Sequence, residues 1–141
     1  MLKKHIARIE REAIFFLYEH HDLRKWDETR PHSAAARKRR KTIAGRIKSK
    51  SHGITYDHAI PITTLRPHLK KAIVSTEAMH RTLKRFVCAV IITREEDDLL
   101  SAERLRLKMP EGAKEDDRLA RYRAVGIKFK AEDEMKLRNS N

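Results

Sequence analysis

Residues 52–62 read HGITYDHAIPI, and this stretch determines the centre of the predicted fold. The segment 54–60 alternates apolar with polar residues and contains β-branched side chains, a pattern that predicts a strand. Pro61 is expected to end it, because proline has no amide hydrogen to give to a sheet. The strand therefore carries two adjacent polar residues, Asp57 and His58, close to its carboxyl end.

A second strand and a helix follow further along the chain. The run FVCAVII at 86–92 is apolar and rich in β-branched residues, which predicts a buried strand. The next residues, TREE, form a capping box, in which the Thr93 hydroxyl accepts from the amide of Glu96 and the Glu96 side chain reaches back. A helix is therefore predicted from Arg94 to about residue 106.

Helices are predicted to fill most of the chain before the second strand. Apolar residues at intervals of three and four predict a helix over residues 3–25. Ser33 is a candidate N-cap for a second, basic helix that runs through residue 50. Residues 62–85 predict a helical insertion between the two strands, with Thr63 or Thr64 as its cap.

The whole chain, 1–141, is predicted to be a single domain of the α+β class, mostly helical. Residues 1–50 form its basic helical part, and 52–106 form a small core of two strands and a helix. Residues 107–129 are expected to add a short helix and a short strand. The last residues, 130–141, are polar and predict a frayed tail.

The charge of the chain points to a polyanionic partner. The formal net charge is +13, of which residues 1–50 contribute +9, residues 51–91 contribute +4 and residues 92–141 contribute none. Such a surface attracts nucleic acid, an acidic protein or an anionic membrane. The alternative for the basic helix is a solvated face without a ligand. We expect contacts to phosphate groups from eight residues of this region: Arg37, Lys38, Arg39, Arg40, Lys41, Arg46, Lys48 and Lys50.

The cysteine count and the hydropathy of the chain indicate the cellular compartment in which the protein is expected to work. Cys88 is the single cysteine, so neither an internal disulfide nor a thiolate metal cluster is expected. No apolar run reaches membrane-spanning length, and charges interrupt the apolar positions of the N-terminal segment, which does not fit a signal peptide. These features predict a protein of the reducing cytoplasm of a bacterial host.

The stretch YDHAIP resembles the first motif of the HNH, or His-Me finger, nucleases, in which a strand ends in Asp-His followed closely by Ile-Pro. The stretch VIITREEDD is similar to the junction of second strand and helix that closes the ββα-metal fold of those enzymes. The resemblance covers about residues 52–106. It implies a ββα-metal core with a helical insertion, and a metal-dependent endonuclease of mobile-element or phage type.

The resemblance also implies roles for individual residues. His58 matches the general base, and Asp57 matches a metal ligand. Asp97 or Asp98, in the first turn of the helix, would be the second ligand of a divalent ion such as Mg²⁺. The chain departs from the pattern in three respects: the second ligand is Asp instead of Asn or His, the Asn that orients the His has no counterpart, and the insertion is longer.

Simpler interpretations exist for each of these residues. An Asp before a turn accepts backbone hydrogen bonds, and His is common at strand ends. Asp97 and Asp98 also suit a helix amino terminus without any metal, because carboxylates there oppose the macrodipole. The alternative function is therefore a non-catalytic basic protein on a degenerate HNH-like fold. It would bind nucleic acid, DNA more readily than RNA, or act as a phage-type inhibitor of a host defence complex by gripping an acidic surface.

Overall fold

A computed structural model describes residues 25–139 of the chain. The helix predicted over residues 3–25 lies outside these residues, apart from Lys25. The fold is α+β and mostly helical, as the sequence predicts, with a two-stranded sheet. In chain order the elements are α1 (Ala34–Arg40), α2 (Ser49–His52), β1 (Ile54–His58), α3 (Ile62–Ala72), α4 (Thr76–Phe86), β2 (Ala89–Thr93), α5 (Arg94–Ala102), α6 (Ala120–Ala124) and α7 (Ala131–Arg138).

The two strands pair antiparallel, with Tyr56 opposite Ile91 and His58 opposite Ala89. Isolated bridges extend the sheet beyond β2. His32 pairs with Ile91 in parallel, and Ser33 pairs with Phe129 in antiparallel fashion. The short strand predicted near residues 127–129 is therefore reduced to a single bridge.

The sheet is covered on both faces, and strand alternation decides which residues meet which cover. Val90 and Ile92 pack with Leu100 of α5 in the largest core cluster, which also includes Tyr122 of α6. Ile91, which points to the opposite face, packs in a second cluster with residues of β1 and α1, Ile54 and Ala36. The antiparallel pair and α5, which contacts both strands, give the strand–strand–helix arrangement expected for residues 52–106.

Two helix caps form as predicted and are joined to each other. The Thr93 hydroxyl accepts from the amide of Glu96, and the Glu96 carboxylate accepts from the amide of Thr93, so the capping box is complete. The Ser33 hydroxyl accepts from the amide of Ala36 at the start of α1. The same hydroxyl donates to Glu96 at 2.5 Å, which ties the first turns of α1 and α5 together.

The basic helix is shorter than predicted. It ends at Arg40 instead of continuing through residue 50, and only the short α2 follows before β1. The Thr42 hydroxyl bonds the carbonyl of Arg39 at 2.7 Å, and Gly45 adopts a φ of 73°, which turns the chain away from helix. α2 ends at Gly53, whose φ of 62° is the left-handed C-terminal conformation.

The insertion contains two helices, α3 and α4, that form a hairpin between the strands. The prediction that Thr63 or Thr64 caps it was wrong, because α3 begins directly after the extended Pro61. The Pro61 carbonyl accepts from the amides of Thr64 and Leu65, so both threonines lie inside the first turn. The Ser75 hydroxyl starts α4 by accepting from the amide of Ala78.

The C-terminal part also differs from the sequence prediction. α5 stops at Ala102 instead of near residue 106, and the positive φ of 57° at Arg104 bends the following loop back. Residues expected to form a frayed tail instead form α7. This helix docks because Arg37 of α1 holds the buried Asp133 with two hydrogen bonds, a pairing that the sequence pattern does not reveal. Within residues 25–139, no helix is both long and apolar enough to cross a membrane.

Candidate active site

The carboxyl end of β1 opens into a cavity of about 1000 Å³. Asp57 and His58 both line it, although strand alternation sends their side chains to opposite faces of the sheet. The volume suits an extended ligand of several groups rather than a single ion. Apolar side chains from the ends of the hairpin form one wall, and four cationic residues lie around the rim: Lys25, Arg104, Arg106 and Lys108.

His58 is held at the edge of a small aromatic group. Its ring stands edge-on to Tyr56 with 5.5 Å between centroids, and Tyr56 in turn meets Trp26 at 6.3 Å. The guanidinium of Arg30 lies 5.4 Å from the centre of the Tyr56 ring. The imidazole therefore packs at the end of this aromatic group and also lines the cavity.

Asp57 is fixed from the opposite side of the sheet. Its Oδ2 accepts a hydrogen bond of 2.7 Å from the hydroxyl of Tyr122 and one of 3.2 Å from Nη1 of Arg121. Burial raises the pKa of Tyr122 well above its ordinary value, and the charge of Asp57 raises it further. The phenol therefore stays protonated and donates, while Asp57 accepts as the carboxylate.

Arg121 connects the end of β1 to the loop that follows α5. Its side chain is 1% exposed, and Nη1 donates to the carbonyls of His58 and Ala59 as well as to Asp57. Its Nε donates to the carbonyl of Leu105. Within the described residues, Nη2 is buried and has no hydrogen-bond partner. The guanidinium therefore fixes the backbone on which His58 sits.

Of the two carboxylates proposed as the second ligand, Asp97 lies within electrostatic range of Asp57. Burial raises the pKa of Asp97, Arg106 opposes this, and the negative charge of Asp57 raises the pKa again. The Asp97 side chain is 15% exposed and pairs with Nε of Arg106 at 3.3 Å. Asp98, the next residue of α5, is exposed. The fold thus brings Asp57 and Asp97 within electrostatic reach of each other.

The chemistry of this donor set fits one hydrated divalent cation. Mg²⁺ is commonly held by one or two carboxylates and keeps several waters. Both contacts to Asp57 are made at Oδ2, which leaves Oδ1 without a hydrogen-bond partner among residues 25–139. In this part of the chain, no group of three or more His, Cys, Asp or Glu is placed to hold a metal, so water would complete the coordination.

Three of the arginines proposed to bind phosphate have hydrogen-bond partners within the protein. Arg37 forms the double hydrogen bond to Asp133. Arg39 donates to the carbonyl of Gly53 and pairs with Glu95 at 2.8 Å. Arg40 donates to Nε2 of His32 and to the backbone carbonyl of Trp26. These contacts give the arginines a structural role in joining α1 to its neighbours.

The other basic residues of that region are exposed, and they lie at the end of α1 and in the segment before β1: Lys38, Lys41, Arg46, Lys48 and Lys50. They remain candidates for phosphate contact. The cations that line the cavity together with His58 were not among the predicted site residues. Arg104, Arg106 and Lys108 recur at every second position of the loop after α5, a spacing visible in the sequence, where the first two were assigned to a continuing helix. The contact of Tyr122 and Arg121 with Asp57 has no local signal, because it joins residues more than sixty positions apart.

No family model matches the chain, and neither a curated protein nor a solved structure shows significant similarity to it.

Proposed function

We propose that the chain binds nucleic acid at the cavity and hydrolyses a phosphodiester bond there, with His58 as the general base. One observation carries this proposal: His58 shares a cavity with cationic side chains that arrive from a separate loop, Arg104, Arg106 and Lys108. A base that shares a cavity with guanidinium and ammonium groups is an arrangement that suits attack on a phosphodiester.

The chemistry assigned to each group follows from its position. Guanidinium groups of Arg104 and Arg106 would hold non-bridging phosphate oxygens and stabilise the extra charge of the transition state. His58 would take a proton from the attacking water, because imidazole is the side chain that most often serves as a general base. Asp57 and Asp97 would hold a divalent ion, which when bound supplies positive charge to the phosphoryl group and the leaving oxygen.

Positioning is the contribution of α6. Arg121 donates to the carbonyl of His58, and Tyr122 and Arg121 both bond Asp57. These contacts fix the backbone and the carboxylate on either side of the His58 α-carbon. A base held in this way loses little entropy when substrate binds, which favours a productive geometry.

The proposal extends to the setting that the sequence predicts. The net charge of +13 favours a polyanionic substrate, and we propose DNA cleaved in the cytoplasm of a bacterial host by a protein of mobile-element or phage type. The core of two strands and a helix supports the proposal that the chain is a degenerate member of the HNH, or ββα-metal, group. Its second carboxylate ligand would be Asp97 rather than Asp98.

Cleavage of plasmid and of single-stranded DNA and RNA would test the enzyme. Purified protein is incubated with Mg²⁺ or Mn²⁺, with EDTA as the control, and compared with His58→Ala. The matched control is His80→Ala, which removes an exposed histidine of α4 that does not line the cavity. We expect cleavage that needs the metal, falls at least about 100-fold in His58→Ala and is unchanged in His80→Ala. Equal cleavage by all three proteins would reject the role of His58.

A second candidate is a non-catalytic nucleic-acid-binding protein. It is favoured by the neutralisation of both carboxylates, since Asp57 is paired with Arg121 and Asp97 with Arg106. Such a protein would bind DNA with a strong salt dependence and show no cleavage with any metal. Under that outcome the cavity would be a phosphate-binding surface, and Arg104→Ala would lower affinity whereas His58→Ala would not.

A further inference from the structure

The turn between α3 and α4 exposes two adjacent branched aliphatic side chains. Ile73 is 78% exposed and Val74 is 82% exposed. Beside them is a shallow groove of about 380 Å³, lined in part by Met79 and Leu83. Exposed aliphatic residues that adjoin further apolar surface mark a contact site more often than isolated ones do.

Exposed cationic side chains lie on both helices that lead to this apolar tip. Lys70 and Lys71 in the last turn of α3 are exposed, as are Arg81 and Lys84 on α4. Between residues 62 and 86 of the sequence, Glu77 is the single acidic residue. The hairpin therefore exposes two apolar side chains at its tip and positive charge along both of its helices. This surface is complementary to a polyanion that also offers apolar surface.

The base of the hairpin belongs to the cavity described above. Ile62 and Leu65 at the start of α3, and Phe86 at the end of α4, line its wall. An α-helix of the length of α3 spans about 16 Å, so the tip lies roughly one helix length from the cavity. Exposed basic residues of both helices, Lys70, Lys71, Arg81 and Lys84, lie between the tip and the cavity. We call this continuous basic surface the cationic track.

We propose that this tip is a wedge that enters duplex DNA and bends it, while Lys70 and Lys71 contact the phosphates on either side. The proposal rests on the proposed function, since it names double-stranded nucleic acid as the substrate held by the cavity. Apolar side chains inserted between base steps unstack them partially and kink the duplex. Ile73 and Val74 are stiff at χ1 and reach out from a helix end, which suits insertion.

The charge distribution favours a duplex over a lipid surface. A lipid bilayer is flat, so it would contact the tip of the hairpin but not the basic residues along the sides of its helices. Arg81 and Lys84 continue the positive charge along the side of α4, whose C-terminal end lies against the cavity. A rod-shaped polyanion contacts both the tip and the track.

The test is energy transfer between dyes at the two ends of a duplex of about 24 base pairs, with EDTA present so that no cleavage occurs. Four proteins are compared: the natural chain, Ile73→Ser/Val74→Ser, Lys70→Ala/Lys71→Ala, and Met135→Ser as the matched control. Met135 is an exposed apolar residue of α7, outside the hairpin. Far-ultraviolet circular dichroism and thermal melting establish that each variant is folded.

We expect the natural chain and Met135→Ser to increase the transfer efficiency in proportion to a bend of at least about 20°. The Ile73→Ser/Val74→Ser variant is expected to bind with an affinity within about threefold of the natural chain but to leave the duplex straight. The Lys70→Ala/Lys71→Ala variant should weaken binding and reduce the salt slope by about 2. An unchanged bend in Ile73→Ser/Val74→Ser, a duplex left straight by the natural chain, or binding only to anionic vesicles and not to the duplex, would overturn the proposal.

This test separates the wedge from the proposed catalysis. Cleavage of single-stranded DNA needs His58 and the cavity but no bending, so the tip variant should retain it. If His58→Ala leaves cleavage unchanged while Ile73→Ser/Val74→Ser abolishes the bend, the catalytic proposal fails and the wedge stands.

Discussion

The hydroxyl of Tyr122 donates a 2.7 Å hydrogen bond to Oδ2 of Asp57, joining α6 to the end of β1. The Tyr122 side chain is fully buried, and Asp57 lines the cavity. Arg121, the neighbour of Tyr122, bonds the same carboxylate oxygen. One short helix therefore fixes the carboxylate and, through the carbonyl of His58, the proposed base.

Replacing Tyr122 with Phe should remove this bond without changing the shape of the ring. A hydrogen bond to a charged group contributes about 1.5–3 kcal/mol, so the free energy of unfolding should fall by about that amount. Urea unfolding measures it. The same substitution made in Asp57→Asn should cost less, because the charged acceptor is already absent. An equal cost in both backgrounds would show that the bond to Asp57 is not what stabilises Tyr122.

The basic helix α1 offers a direct contrast between structural and exposed cations. Arg37→Ala leaves Asp133, which is 2% exposed, without its main partner, and should cost about 3–5 kcal/mol of unfolding free energy. Lys38→Ala, at an exposed neighbouring position, should change stability by less than about 0.5 kcal/mol. We expect Lys38→Ala to reduce the salt slope of DNA binding by about 1 instead. Equal melting temperatures for the two variants would contradict this division.

Stability should fall in mild acid because of His32. Burial lowers the pKa of His32 from 6.5 to about 4, and the charges of Arg37 and Arg40 act in the same direction. The unfolded chain takes up a proton below pH 6.5 while the folded chain does not. The contribution is therefore complete above pH 6.5, decreases as the pH falls, and is lost below about pH 4, with a total of at most about 3 kcal/mol.

Urea unfolding between pH 7 and 4 would measure this loss, with His32→Gln as the comparison, since an amide can make similar hydrogen bonds and does not titrate. The variant should show a flatter dependence on pH. Nuclear magnetic resonance titration of the His32 ring gives an independent check, in which the folded protein should keep a neutral ring down to about pH 4. A ring that titrates near pH 6.5 in the folded protein would contradict the prediction.

The junction of α1 and α5 should depend on one carboxylate. Glu96 accepts from the amide of Thr93 and from the hydroxyl of Ser33. Glu96→Ala should reduce the free energy of unfolding by about 2 kcal/mol, the sum of a lost cap and a lost hydrogen bond. Glu95→Ala is a control at an adjacent exposed position, where the ion pair with Arg39 contributes little. Similar losses in both variants would argue against the shared role of Glu96.

The parts of the fold that depend on local pattern could be predicted from the sequence. The strand ending in Asp57 and His58, the buried strand before Thr93, and the capping box of α5 each follow from residues within a few positions of one another. The docking of α7 could not be predicted in this way. Its buried carboxylate, Asp133, accepts hydrogen bonds from Arg37, which lies 96 positions earlier. The polar composition of residues 130–141 therefore led to the wrong prediction of a frayed tail.

The candidate site shows the same division. Asp57, His58 and either Asp97 or Asp98 were proposed from short motifs, and the fold brings Asp57 and Asp97 within electrostatic reach. Arg121 and Tyr122 were missed, because a short helix of ordinary composition gives no sign of what it contacts. The basic run at residues 37–41 was predicted to bind phosphate because of its charge. Its three arginines, however, form hydrogen bonds to other residues of the protein.

The most direct test of the proposed catalysis is chemical rescue at His58. Single-turnover cleavage of single-stranded DNA with Mg²⁺ is measured for the natural chain and for His58→Gly, with and without added imidazole. If His58 is the general base, the variant should lose at least about 100-fold in rate and recover part of it as the imidazole concentration rises. Cleavage by His58→Gly at the rate of the natural chain, or a loss that imidazole does not restore in a variant shown to be folded, would contradict the assignment.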